Sequence, residues 1–100
     1  MDSIIDLEMN VVEWAHQRNL VKRENANKQM LKVMEEVGEL ASAVAKDNED
    51  ATVDAIGDVL VTIIILSAQL ELSPWYCLES AYEEIRNRKG KTVDGVFIKE

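Results

Sequence analysis

Apolar residues recur at three- and four-residue steps over most of the chain, the spacing of helices with one buried face. Ile4, Ile5, Leu7, Val11, Val12, Trp14 and Ala15 supply a broad apolar face. Ser3 or Asp2 caps the helix that carries it, which is expected to run to about residue 19. The polar stretch 22–27 reads as a connection. Met30, Met34, Val37, Ala41, Val44 and Ala45 then mark a second helix over 28–46, and residues 47–50 form the turn into the next.

The third segment, 50–70, is two-sided at its centre. Val59, Val61, Thr62, Ile63, Ile64 and Ile65 are β-branched, which suits a buried strand. The apolar pattern continues on both sides, through Ala51, Val53, Ala55, Ile56, Ala68 and Leu70, and that is too long for one strand. The segment is therefore expected to be a helix, apolar nearly all round and buried on several sides. Ser73 followed by Pro74 starts a fourth helix. It is expected to run to about residue 88 and to stop at Gly90. The tail 91–100 alternates apolar and polar residues around Asp94-Gly95, the pattern of a hairpin-like arm. The reading is one all-α domain over 1–100, a four-helix bundle-like fold with a short C-terminal arm.

Composition narrows the chemistry. A net charge of −8 argues against a nucleic-acid polymer as partner, since backbone binding needs a basic face. One cysteine, Cys77, and one histidine exclude an intrachain disulfide and a thiolate metal site. The acidic start, residues 1–6, lacks the features of a signal peptide. The apolar run 59–66 is too short to span a bilayer. These features predict a cytoplasmic protein with no membrane partner. A chain of 100 residues builds a thin core, so help from a second subunit is expected.

The acids stand in two clusters. Glu36 and Glu39 lie a turn apart on the second helix, with Glu35 beside them, while Met34, Val37, Ala41 and Val44 point elsewhere. By itself this is the pattern of a solvated face. Asp54 and Asp58 are four apart on the third helix, which offers no ordinary solvated stripe. A buried or half-buried aspartate pair there needs cations. Ligands that are all hard oxygens select Mg²⁺, with Mn²⁺ possible, over zinc. Carboxylates on facing helices suit a metal that bridges substrate phosphates.

The run Glu35-Glu36-Val37-Gly38-Glu39-Leu40, followed by Asp54-Ala55-Ile56-Gly57-Asp58, resembles the all-α nucleoside triphosphate pyrophosphohydrolases, the MazG-like family. The closing Arg88-Lys89-Gly90-Lys91, with Val93-Asp94-Gly95-Val96-Phe97, is similar to its small phage-type members, for which the compartment would be the host cytoplasm. The resemblance implies cleavage of the α–β phosphoanhydride of an NTP or dNTP to monophosphate and pyrophosphate. It implies Mg²⁺ held by a Glu-x-x-Glu motif and a later Glu-x-x-Asp motif. Glu36 and Glu39 match the first, and Asp58 matches the last Asp. The Glu of the second motif falls on Ala55, and Asp54, one residue earlier, is expected to take its place as a ligand. Glu35 is then expected to orient or deprotonate the attacking water, or to bridge a second metal. Glu35 and Glu36 are thus the catalytic candidates. The resemblance also implies a homodimer or homotetramer with pockets near the subunit interfaces.

A triphosphate needs cations. Lys32, one turn before Glu36, is one candidate, although the spacing also suits a plain ion pair. Arg88 and Lys91 are expected to contact phosphate, and Asn87 the sugar or phosphate. Trp14 and His16 are the candidate pair for the base. Two rival readings are a phosphoribosyl-ATP pyrophosphatase and a non-catalytic helical oligomerisation or interaction protein. The second predicts no metal dependence.

Overall fold

A computed structural model describes all 100 residues. It is all-α apart from a small terminal hairpin: α1 is Ile4–Gln17, α2 Ala26–Ala45, α3 Glu49–Gln69 and α4 Pro74–Ile85, followed by β1 Gly90–Val93 and β2 Val96–Lys99. The helices start where side chains can satisfy their first N–H groups. Ser3 Oγ accepts from the Asp6 N–H at 3.1 Å, and Asp6 returns the contact to the Ser3 N–H. Asn48 Oδ1 accepts from the Ala51 N–H at 3.0 Å. Ser73 Oγ accepts from Tyr76, with Pro74 in the first helical position.

The ends differ from expectation in three places. α1 closes at Gln17 because Asn19 turns into the left-handed region, with φ at 58°. The connection over 22–27 is not free of structure, since Arg23–Asn25 forms a single 3₁₀ turn that runs straight into α2. α4 stops at Ile85, and Gly90 opens β1 instead of closing a helix. The arm is an antiparallel hairpin in which Val93 faces Val96. Both turn residues, Asp94 and Gly95, have positive φ, as a two-residue hairpin turn requires. Gly90 has no room for a side chain, because a Cβ there would collide with the Ile98 carbonyl oxygen.

α3 is the centre of the molecule. α2 packs along it as the other arm of a helical hairpin closed by Lys46, Asp47 and Asn48, and α1 packs on it as well. Gln69 at its end donates from Nε2 to the Leu20 carbonyl at 2.9 Å, which ties the α1–α2 connection down. Only nine residues are buried, among them Ala15, Val33, Ala43, Ala55, Ile64 and Ile65, so one chain has almost no core of its own. The radius of gyration is 15.8 Å, against roughly 13 Å for a compact chain of this length.

α3 is therefore not buried on several sides, as its composition suggested. One face is covered, while Val53, Ile56, Leu60 and Ile63 stand exposed on another, from 38 % to 63 %. α4 has no buried residue, and its Tyr76, Leu78, Tyr82 and Ile85 are all exposed. The run 59–66 also understates the helix, since α3 as a whole, at 21 residues, is long and apolar enough to cross a membrane by length and composition. Asp58 at its midpoint and the Gln29 side chain bonded to the Thr62 carbonyl are features of a helix packed on protein.

Candidate functional site

Between α1, α2 and α3 lies a cavity of about 610 Å³. Its lining is sorted by position along the two antiparallel helices. At one end stand Glu36 of α2 and Asp58 of α3, with Lys32 beside them and Lys28 about two turns further along α2 toward the other end. At the other stand Gln69, Asn25 and Leu20. Gln29, Thr62, Val61, Ile65 and Trp14 lie between.

Glu36 is the buried acid of the group, at 7 % exposure. Its position follows from α2 packing: Val33, Glu36 and Ala43 are the residues of that helix turned into the protein. Ligand oxygens of Glu35, Glu36 and Glu39 all lie within 4.8 Å of one another. Lys32 Nζ reaches Glu35 Oε1 at 3.3 Å and Glu36 Oε1 at 3.7 Å. That leaves Glu36 Oε2 buried with no hydrogen-bond partner. Burial pushes the Glu36 carboxyl above its usual range, helped by the negative charges of Glu39 and Asp58, while Lys32 pulls the other way. Lys32 itself is raised, chiefly by its hydrogen bond to Glu35.

The donor set is three carboxylates of α2, one with a buried and unpartnered oxygen, and Asp58 of α3 lines the cavity with Glu36. That is the chemistry of a site for a hard divalent cation. A cation there would relieve both the desolvation and the mutual repulsion of the acids. Without metal the strain has a measurable sign. Burial and the neighbouring acids make the folded chain keep the Glu36 proton to higher pH than the unfolded chain does, in a window above the ordinary carboxylate range. This group's contribution to stability therefore falls as pH rises through that window. Glu36→Gln is expected to melt a few degrees above the wild type at about pH 8 in chelator, with the gap closing as pH falls toward the ordinary carboxylate value. Thermal melts across that pH range check this. Mg²⁺ affinity should move the opposite way, weakening as pH falls, because the ligand must be deprotonated.

The other residues singled out in the sequence divide. Trp14 lines the cavity, and Arg18 covers one face of its ring at 4.2 Å. His16 is exposed and lines none of it. Asn87, Arg88 and Lys91 lie beyond α4, away from the cavity lining, and Arg88 contacts Glu84 at 4.0 Å. Asp54 and Asp58 are both exposed, so the expectation of a buried aspartate pair is not met. The reason is the bare face of α3. Asp58 looks into the open cavity, and Asp54, a turn earlier, lies outside the lining. Ala55 is the residue of that turn packed against the protein, at 6 % exposure.

Asn25, Lys28, Gln29, Thr62 and Gln69 were not anticipated. Stepping back from Glu36 by threes and fours reaches Lys32, Gln29 or Lys28, and Asn25. Stepping forward from Asp58 reaches Thr62, Ile65 and Gln69. The same periodicity that located the acids therefore located these as well.

A family model described as the MazG nucleotide pyrophosphohydrolase domain matches residues 24–93, from the 3₁₀ turn through β1. An uncharacterized 18.2 kDa protein from the rep–hol intergenic region of Haemophilus phage HP1 (strain HP1c1) is 45 % identical over 69 residues. The match covers 69 % of this chain and 42 % of that protein, so the similarity takes in less than half of the relative's length. No solved structure matches.

Proposed function

The chain belongs to the MazG nucleotide pyrophosphohydrolase family, and from that premise we propose that it is a Mg²⁺-dependent hydrolase of nucleoside triphosphates. In this reading it cleaves the α–β phosphoanhydride to give monophosphate and pyrophosphate. The observation that carries the proposal is the buried, unpartnered Glu36 oxygen among Glu35, Glu39 and Asp58, at the lysine-flanked end of a cavity of nucleotide size.

Glu36, Glu39 and Asp58 would hold the ion. Asp54 is assigned an outer position, because it belongs neither to the Glu35, Glu36 and Glu39 cluster nor to the cavity lining. When bound, Mg²⁺ supplies Lewis-acid polarisation of a phosphoryl oxygen and charge neutralisation along the triphosphate. The chain's own groups do the rest. Glu35 is exposed at the rim and held by Lys32 at 3.3 Å, where its carboxylate can accept a proton from a water aimed at phosphorus. Lys32 places a positive charge beside the acids, and Lys28 a second one about two turns further along α2. Lys32 then exchanges its carboxylate partners for phosphate oxygens. The apolar wall of Val61 and Ile65 excludes bulk water behind the reacting group.

We propose further that the working unit is a homodimer or homotetramer built on the bare faces of α3 and α4. Arg88 and Lys91 would then meet a triphosphate from a neighbouring subunit, since neither lines the cavity of its own chain. A panel of NTPs and dNTPs with Mg²⁺, assayed for pyrophosphate and phosphate, tests the reaction. Pyrophosphate with monophosphate is expected, abolished by EDTA and restored by excess Mg²⁺ or Mn²⁺. Release of phosphate with diphosphate contradicts α–β cleavage.

A further inference from the structure

We propose that the end of the cavity away from the acids reads the exocyclic amino group of a nucleobase through the side-chain oxygen of Gln69, so that amino-bearing bases are taken in preference to their oxo counterparts. This rests on the reading of the cavity as a nucleotide site.

Gln69 is 3 % exposed and lines the cavity. Its Nε2 donates to the Leu20 carbonyl at 2.9 Å, and its Oε1 is buried with no partner. A main-chain carbonyl only accepts, so turning the carboxamide over would set oxygen against oxygen. The amide is thereby locked with its acceptor unsatisfied, a costly arrangement that a ligand N–H would relieve. Gln29, next along the wall, is locked in the same sense. Its Nε2 donates to the Thr62 carbonyl at 3.2 Å, so its oxygen too is the atom left over. The wall from Thr62 to Gln69 therefore offers acceptors.

The geometry suits a base and not a phosphate. Gln69 is three helical turns beyond Asp58 on α3, roughly 16 Å along the axis. That span separates Asp58 from Gln69 by about the length of a nucleotide, with Trp14 and Ile65 supplying flat and apolar surface between. An amino group offers N–H to such an acceptor. An oxo group at the same ring position presents a second oxygen and leaves both unsatisfied.

Calorimetric binding of non-hydrolysable α,β-imido analogues, with Mg²⁺, tests the inference on two pairs: dCTP against dUTP, and dATP against dITP. The amino member is expected to bind about tenfold or more tightly in each pair. Gln69→Met should reduce each ratio to about threefold or less. Equal affinity, preference for the oxo member, or an undiminished ratio in folded Gln69→Met would overturn the proposal. Should Gln69→Met fail to fold by circular dichroism, the wild-type ratios decide it. Pyrophosphate release from the parent triphosphates, measured in parallel, separates the two readings. Release without amino preference overturns this inference and leaves the hydrolase. Amino preference in binding with no release from any triphosphate does the reverse. No binding of any analogue overturns both.

Discussion

Glu36→Gln is expected to lower the rate of pyrophosphate release by about a thousandfold or more, and Asp58→Asn to do the same. Both replacements keep shape and remove a ligand charge. Glu36 contributes the buried oxygen that nothing in the chain satisfies, and Asp58 is the carboxylate that α3 sets into the cavity opposite it. Losing either costs transition-state stabilisation of several kcal/mol, since charge develops on phosphate oxygens in a partly dry site. The fold should survive, because Gln at 36 removes a desolvated charge instead of creating one. Asp54→Asn is the control. It stands off the lining and should cost about tenfold or less. Steady-state rates with pyrophosphate detection, alongside circular dichroism of each variant, give the comparison. Equal losses at Asp54 and Asp58 would return Asp54 to the inner set of ligands.

Leu60→Glu is expected to convert the proposed oligomer to monomers. Leu60 is 49 % exposed and shares a bare face of α3 with Ile56 and Ile63. Within one chain a glutamate at such a position is well tolerated, and helix content should hold. Across a subunit interface it would place a charge in apolar surroundings. It would also forfeit the burial of a leucine, about 1.5–3 kcal/mol in each copy. With nine buried residues in the whole chain, assembly is the physical route to a stable core. Sedimentation of wild type and variant reads the result. A wild type that sediments as a monomer, or a variant of unchanged size, would show that this face stays in water.

The sequence made some of this architecture plain for reasons that act locally. Ser3, Ser73-Pro74 and Asp94-Gly95 announce a cap, a helix start and a hairpin turn through their own side chains and backbone preferences, and each does so in the structure. Spacing alone places Glu36 on one face of the second helix and Asp58 on one face of the third. What spacing does not contain is which face a neighbour covers. Asp54 and Asp58 share a side of α3, yet the packing of α1 and α2 puts only Asp58 beside the cavity. Likewise the apolar character of α3 said that both of its sides avoid water, without saying that one is left open within a single chain. The amides of Gln29 and Gln69 carry no motif. Their roles depend on the carbonyls of Thr62 and Leu20, which tertiary contacts bring within reach.

The central claim is that Glu36, Glu39 and Asp58 hold a divalent cation. Mn²⁺ serves as a spectroscopic stand-in for Mg²⁺, and its binding is followed directly by electron paramagnetic resonance of the free ion. Wild type and Asp54→Asn should each take up Mn²⁺ in competition with Mg²⁺, while Glu36→Gln and Asp58→Asn should lose most of that uptake. Undiminished Mn²⁺ binding in folded Glu36→Gln and Asp58→Asn would contradict the account.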